Sequence, residues 1–199
     1  MTVQAPIPDY AAARSAMVDS QLRPQGVTDR AVLTAMGSVA REDFAPPDVR
    51  PLAYADRSLA LGGGRFLPPP AFLGQLLTQM APAPGERALV VGAGSGYSAA
   101  VLTHIGCEVA TVEGVPELAA RKDGASYDLI LIDGAVEYIP EAFIEQLAEA
   151  GRLGAALVDR GVSRLIVGRK AGGAFGYFSI GDAEVAVLPG FSRPRAFTF

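Results

Sequence analysis

Residues 89–102 read LVVGAGSGYSAAVL: a short apolar run, three glycines at Gly92, Gly94 and Gly96, then small and aliphatic residues at helical spacing. A strand apolar on both faces, followed at once by a glycine turn and a helix, is how a βαβ unit opens. The glycines let the backbone adopt left-handed conformations and approach a ligand closely, while the first N–H groups of the helix point at it. The next strand, CEVATVEG, ends in Glu113, 21 residues after Gly92, the spacing at which a carboxylate reaches ribose hydroxyls. A nucleoside-type ligand is therefore expected at Gly92, Ala93, Gly94, Gly96 and Glu113; the plainer alternative is a tight turn that only needs small residues. A dinucleotide site would want a further glycine where Tyr97 stands, and no hydride-transfer partner accompanies it, which disfavours a nicotinamide dehydrogenase.

The pattern continues outward in the same alternation. From Arg87 the order is strand RALVVGAG, helix SGYSAAVLTHIG, strand CEVATVEG, a short helical piece PELAARK, strand YDLILIDGA, helix PEAFIEQLAEAG, strand RLGAALVD and strand SRLIVGRK, then a last pair around YFSI and EVAVL. Runs such as ALVV and LILI suit a parallel sheet with helices on both faces. Upstream, PDYAAARSAMVDSQL has helical spacing and stops before Arg23-Pro24, and Thr28 or Asp29 caps a second helix. The glycine and proline triplets of LALGGGRFLPPPAFLGQLLTQM block regular structure until a helix from about Pro70 to Met80. The expected fold is α/β, a doubly wound Rossmann-like sheet in a single domain. Residues 1–80 form an N-terminal helical, substrate-side extension, and residues 81–199 form the core.

Composition narrows the function classes. The chain has 199 residues, 50% of them hydrophobic, enough for one substantial core without disulfides or metal. The net charge of −4 is uneven: residues 151–199 hold seven Arg/Lys against three Asp/Glu, and the remainder ten against eighteen. With no broad basic face interleaved with aromatics, nucleic acid is not an expected partner. No long apolar run follows a basic start, so neither a signal peptide nor a membrane span is expected. With a lone cysteine, Cys107, the expected location is cytoplasmic.

A G-x-G-x-G turn followed by a bulky residue resembles the first motif of class I S-adenosylmethionine-dependent methyltransferases. LILIDGA, with Asp133, resembles that fold's fourth-strand motif. Beyond the turn, MVDSQLRPQGVTDRAVLTAM, REDFAP, LAYADRSLALGGG, GAGSGYSAAVL, VEGVPELA and the GRL run are similar to the protein-L-isoaspartate O-methyltransferase family over most of the chain. The resemblance implies S-adenosylmethionine as cofactor, a damaged protein or peptide as substrate, and a methyl ester formed on the carboxylate of an isoaspartyl residue. It adds Asp133 to the cofactor side, a turn-forming role being the plainer alternative, and lays Gly63 and Gly64, with the 66–70 segment ending in Pro70, over the acceptor. No metal is implied.

Two departures from the family stand out. Its Thr-Ile-Ser-Gln-Pro run falls on Phe66-Leu67-Pro68-Pro69-Pro70, where only the last proline matches and Pro68 stands where the serine implied to hold the substrate carboxylate would be. Losing one charge-assisted hydrogen bond costs roughly 1.5–3 kcal/mol. Second, only 14 residues separate Glu113 from Asp128, too few for the helix, third strand and helix of the family. The sheet is expected to lack that edge strand and the loop implied to contact adenine, with weakened cofactor binding; Lys122-Asp123-Gly124 lies in the shortened stretch. The rival reading these departures support is a non-enzymatic family member acting as a binding module.

Other polar residues have plainer readings. His104 suits a helix C-terminus and Cys107 a core position, while Glu141 and Glu145 share an exposed helix face. Arg193 and Arg195 read as a surface tail.

Overall fold

The computed structural model describes residues 9–113 and 126–193. Helix α1 (Tyr10–Met17) starts at Asp9, whose side chain accepts the Ala12 N–H at 3.0 Å, and runs on as a π-helical turn to Leu22. Helix α2 (Arg30–Ser38) is capped in the same way by Asp29 rather than Thr28. Helix α3 (Pro70–Met80) begins at Pro70, whose missing N–H has no partner to lose in a first turn.

Between α2 and α3 the structure corrects the expectation of irregular chain. Strands β1 (Leu59–Gly62) and β2 (Arg65–Leu67) form an antiparallel hairpin. Gly62, Gly63 and Gly64 all have positive φ, so the triplet that seemed to exclude regular structure is the turn that closes the hairpin.

The main sheet has the order β4-β3-β5-β6-β7-β8, built from β3 (Arg87–Val91), β4 (Glu108–Val112), β5 (Tyr127–Val136), β6 (Leu147–Asp159), β7 (Val162–Ala171) and β8 (Ala174–Asp182). It is parallel from β4 to β6, but β7 and β8 return antiparallel, so the sheet is mixed. Short turns after Asp159 and Ala171 leave no room for the crossover a parallel partner needs. Among the described residues β4 pairs only with β3 and lies at the sheet's edge. The PELAARK and Lys122-Asp123-Gly124 stretches lie outside the described residues.

Successive residues of β3 and β5 point to opposite faces. Ala88, Val90, Leu129 and Leu131 meet the helical side, with Met36 of α2, Leu76 and Leu77 of α3, and Val101 and Leu102 of α4 (Tyr97–Ile105). Leu89, Val91, Ile130 and Ile132 meet Phe143 of α5 (Glu141–Gln146) together with Leu188 and Phe191. Arg152 links the layers, chelating Glu86 at 2.8 and 2.9 Å and donating to the Met80 carbonyl at the end of α3.

Two further boundaries differ from expectation. The helix expected over 140–151 ends at Gln146, because Leu147 already pairs with Tyr127 and Lys170 donates to the carbonyls of Ile144 and Leu147, both at 2.9 Å. EVAVL is not a full strand: Val187 makes only an isolated parallel bridge to Ala135. No helix among the described residues is long and apolar enough to cross a membrane.

Candidate functional site

The chain after β3 turns through Gly92, Gly94 and Gly96 with φ of 70, 55 and 89°, and Gly96 caps α4. Only glycine takes such values without strain, so the sequence at 92–96 dictates a turn with bare backbone on its outer side. The parallel pairing of β3 with β4 brings Glu113 alongside. Its Oε1 accepts the Gly94 N–H at 2.7 Å, and its Oε2 lies 3.3 Å from Arg65 Nη1 on the β1–β2 hairpin. Gly92, Gly94, Gly96 and Glu113 thus converge at the carboxyl ends of the parallel strands, the place where open α/β sheets bind ligands. Ala93 contributes backbone to the turn while its methyl packs into the core.

The protein's own side chains approach this turn closely. A Cβ at Gly94 would lie 3.0 Å from Leu61 of β1, and one at Gly92 or Gly134 would lie 2.8 Å from Leu188. Leu188 is delivered there because Leu188 N–H donates to the Ala135 carbonyl, laying the segment after β8 beside the end of β5. Two clefts flank the Arg65–Glu113 pair. One, of about 280 Å³, is lined by Gly63, Gly92, Glu113 and Phe191. The other, of about 320 Å³, is lined by Asp43, Phe44, Leu61 and Gly94.

Asp133 lies within the buried run of β5 and is only 2% exposed. Its Oδ2 accepts the Ser98 hydroxyl at 2.7 Å, while Oδ1 is buried with no hydrogen-bond partner among the described residues. Burial pushes its carboxyl up to about 7, against the lowering effects of Ser98 and the Arg41 charge, and Glu113 adds to the rise. The side chain lines a small enclosure of about 10 Å³ shared with Ser58, Gly64, Phe66, Pro68 and Gly134. Of the three residues expected over the acceptor, Gly64 lines this enclosure and Gly63 the larger cleft, whereas Pro70 is buried as the first residue of α3.

Several residues here had no role at the site assigned from the sequence. Arg41, 1% exposed, donates to the carbonyls of Ala53 and Pro68 and stacks 4.8 Å from the Tyr97 ring. Burial lowers its pKa, opposed by Tyr97 and Asp133. Tyr97, in the position that argued against a dinucleotide, is thus a core residue between Arg41 and Phe44. Nearby, Arg14 donates to Tyr54 at 2.7 Å and pairs with Glu42 at 2.8 Å, and Tyr54 donates to Glu42. Burial raises the Tyr54 hydroxyl to about 12. Cys107 is core, its thiol raised to about 11 by burial.

Comparison with known proteins agrees with this geometry. Residues 12–123 match the model of the protein-L-isoaspartate(D-aspartate) O-methyltransferase family. The chain is 42% identical over 161 residues to a protein-L-isoaspartate O-methyltransferase of Gloeobacter violaceus, covering 69% of this chain and 78% of that protein. It is 32% identical over 205 residues to the enzyme of that name from Koribacter versatilis, covering 91% and 92%. Its fold resembles a solved Plasmodium falciparum chain, described as a protein-L-isoaspartate O-methyltransferase in complex with S-adenosyl-L-homocysteine. That match has a TM-score of 0.74 at 18% identity and covers 92% of this chain and all of the other.

Proposed function

Because this chain belongs to the protein-L-isoaspartate O-methyltransferase family, we propose that it transfers a methyl group from S-adenosylmethionine to the carboxylate of isoaspartyl residues in damaged proteins or peptides. The observation that carries this reading is the Glu113 carboxylate 2.7 Å from the Gly94 N–H, at the mouth of a turn of three left-handed glycines. A nucleoside with a vicinal diol suits that donor and acceptor set. The bare backbone at Gly92, Ala93, Gly94 and Gly96 would cradle the cofactor, Glu113 would take its ribose hydroxyls in exchange for Arg65, and Asp133 would border its reactive end.

When bound, S-adenosylmethionine supplies an activated methyl on sulfur. The acceptor carboxylate, with an ordinary pKa of about 3.9, is already ionised at neutral pH, so the chain has no proton to remove and its task is to hold oxygen against methyl. Gly63 and Gly64 on the hairpin, with the segment leading to Pro70, would cover the acceptor.

A second reading, a family member that binds without catalysing, is favoured by Pro68. It offers no hydroxyl, and its carbonyl is taken by Arg41. Calorimetric titration with S-adenosylhomocysteine, followed by a methylation assay on an isoaspartyl peptide, separates the two. Micromolar binding with methyl transfer supports the enzyme, and binding with no transfer supports the binding module. Absence of heat at millimolar ligand would remove the cofactor site itself.

A further inference from the structure

Two residues that line the same small enclosure each carry a buried polar atom with no hydrogen-bond partner among the described residues. Ser58 Oγ, at the start of the hairpin, and Asp133 Oδ1, within β5, are both shielded from solvent, and both residues line the roughly 10 Å³ space beside Gly64, Pro68 and Gly134. Buried polar groups are almost always paired, so two such atoms on residues around one space leave hydrogen-bonding capacity for a partner there. The space admits a single water-sized group. One oxygen of a carboxylate is such a group. The enclosure shares Leu188 with the cleft that holds Gly92 and Glu113, so an oxygen seated in it is adjacent to the cofactor side.

We propose that Ser58 Oγ and Asp133 Oδ1 together bind one oxygen of the methyl acceptor's carboxylate, replacing the serine that Pro68 displaces. The proposal rests on the isoaspartyl reading above. A carboxylate can only accept, so both groups must donate: Ser58 through its hydroxyl, Asp133 through a carboxylic acid proton. The surroundings favour that neutral acid. Apolar Val185, Ala186, Val187 and Leu188 cover one side, and Phe66 and Pro68 of the hairpin segment bring no charge. From α4 the neighbour is the uncharged Ser98 hydroxyl; the charged groups that act on Asp133 are Arg41, which favours ionisation, and Glu113, which opposes it. The net result is a carboxyl held near 7.

During transfer the free oxygen of the acceptor forms its bond to the methyl carbon as the carbon–sulfur bond breaks. The electron pair of that bond goes to sulfur, and the proton stays on Asp133. Ionised Asp133 would place a second negative charge against the acceptor, so binding weakens as Asp133 loses its proton.

The test is the pH dependence of kcat/KM for an isoaspartyl peptide between about pH 6 and 9, in the native chain, Asp133→Asn and Ser58→Ala. In the native chain kcat/KM is expected to fall about tenfold per pH unit above about 7. Asp133→Asn, which keeps an N–H donor, loses that fall and gives a flat profile. Ser58→Ala raises KM about tenfold while S-adenosylhomocysteine affinity holds. Circular dichroism checks that each variant folds; should Asp133→Asn fail to fold, the native profile and Ser58→Ala decide. A native rate that rises through pH 7, a fall that persists in Asp133→Asn, or an unmoved KM in Ser58→Ala overturns the pair, leaving a structural water as the occupant. Transfer with any of these outcomes overturns the pair alone. Cofactor binding with no isoaspartyl transfer at any pH overturns the isoaspartyl reading and the pair with it.

Discussion

Glu113, just past β4, and Asp133, within β5, are carboxylates on either side of β3 with opposite surroundings. Glu113 is half exposed, and its ion pair with Arg65 is a surface contact worth at most about 1 kcal/mol to folding. Under the proposed function its value is to the ligand. Glu113→Ala is expected to weaken S-adenosylhomocysteine binding ten- to a hundredfold by calorimetry, the loss of one charge-assisted contact of about 1.5–3 kcal/mol, with little change in melting temperature. Asp133 shows the converse. Its folded pKa, about 7, lies above the ordinary carboxylate value. Its contribution to stability is therefore fully present below about pH 4, declines as pH rises, and is lost above about 7. Three pH units correspond to roughly 4 kcal/mol as an order of magnitude. Asp133→Asn should accordingly be more stable than the native chain at about pH 8 and lose that advantage toward pH 4, as read from urea unfolding across pH. A carboxylate kept at such a cost is what a functional position predicts.

The hairpin β1–β2 and helix α5 show how secondary elements answer to their neighbours. Glycine and proline triplets locally oppose regular structure, yet paired strands use positive-φ glycines as their turn, and the pairing of Leu59 with Leu67 supplies what local propensity lacks. Helix α5 illustrates the reverse case: its apolar periodicity runs to residue 151, but the sheet claims the chain from Leu147. Lys170 on β7 holds that junction by donating to three carbonyls at the helix end, at 2.9, 2.9 and 3.3 Å. Lys170→Met leaves them without this donor and is expected to cost about 1–2 kcal/mol in urea unfolding, with no effect on S-adenosylhomocysteine affinity. By contrast α3 needed no neighbour to be read. Pro70 starts it, and its apolar face, Leu73, Leu76, Leu77 and Met80, follows the helical period.

Across the molecule as a whole, the proposed cofactor trough is framed by pieces distant in sequence: the hairpin, the glycine turn, the ends of β4 and β5, and the segment carrying Leu188. A ligand bound there ties all of them to the folded state. S-adenosylhomocysteine at about 100 times its Kd should add about 2.7 kcal/mol of stability and raise the melting temperature by about 5–10 °C, measurable by scanning fluorimetry. The sequence by itself determined the alternation of strands and helices from Arg87, the glycine turn with Glu113 beyond it, and the helix from Pro70, because each depends on φ preferences and apolar periods a few residues long. It also leads one to expect an edge strand β4, and among the described residues β4 pairs with β3 alone. Only the tertiary structure decided that Arg41 is spent on the Pro68 carbonyl, that Leu188 closes on Gly92 and Gly134, and that Ser58 and Asp133 line one small enclosure. Those relations join residues far apart in the chain, and they exist only once burial has removed water from between them, so no local pattern of residues could encode them.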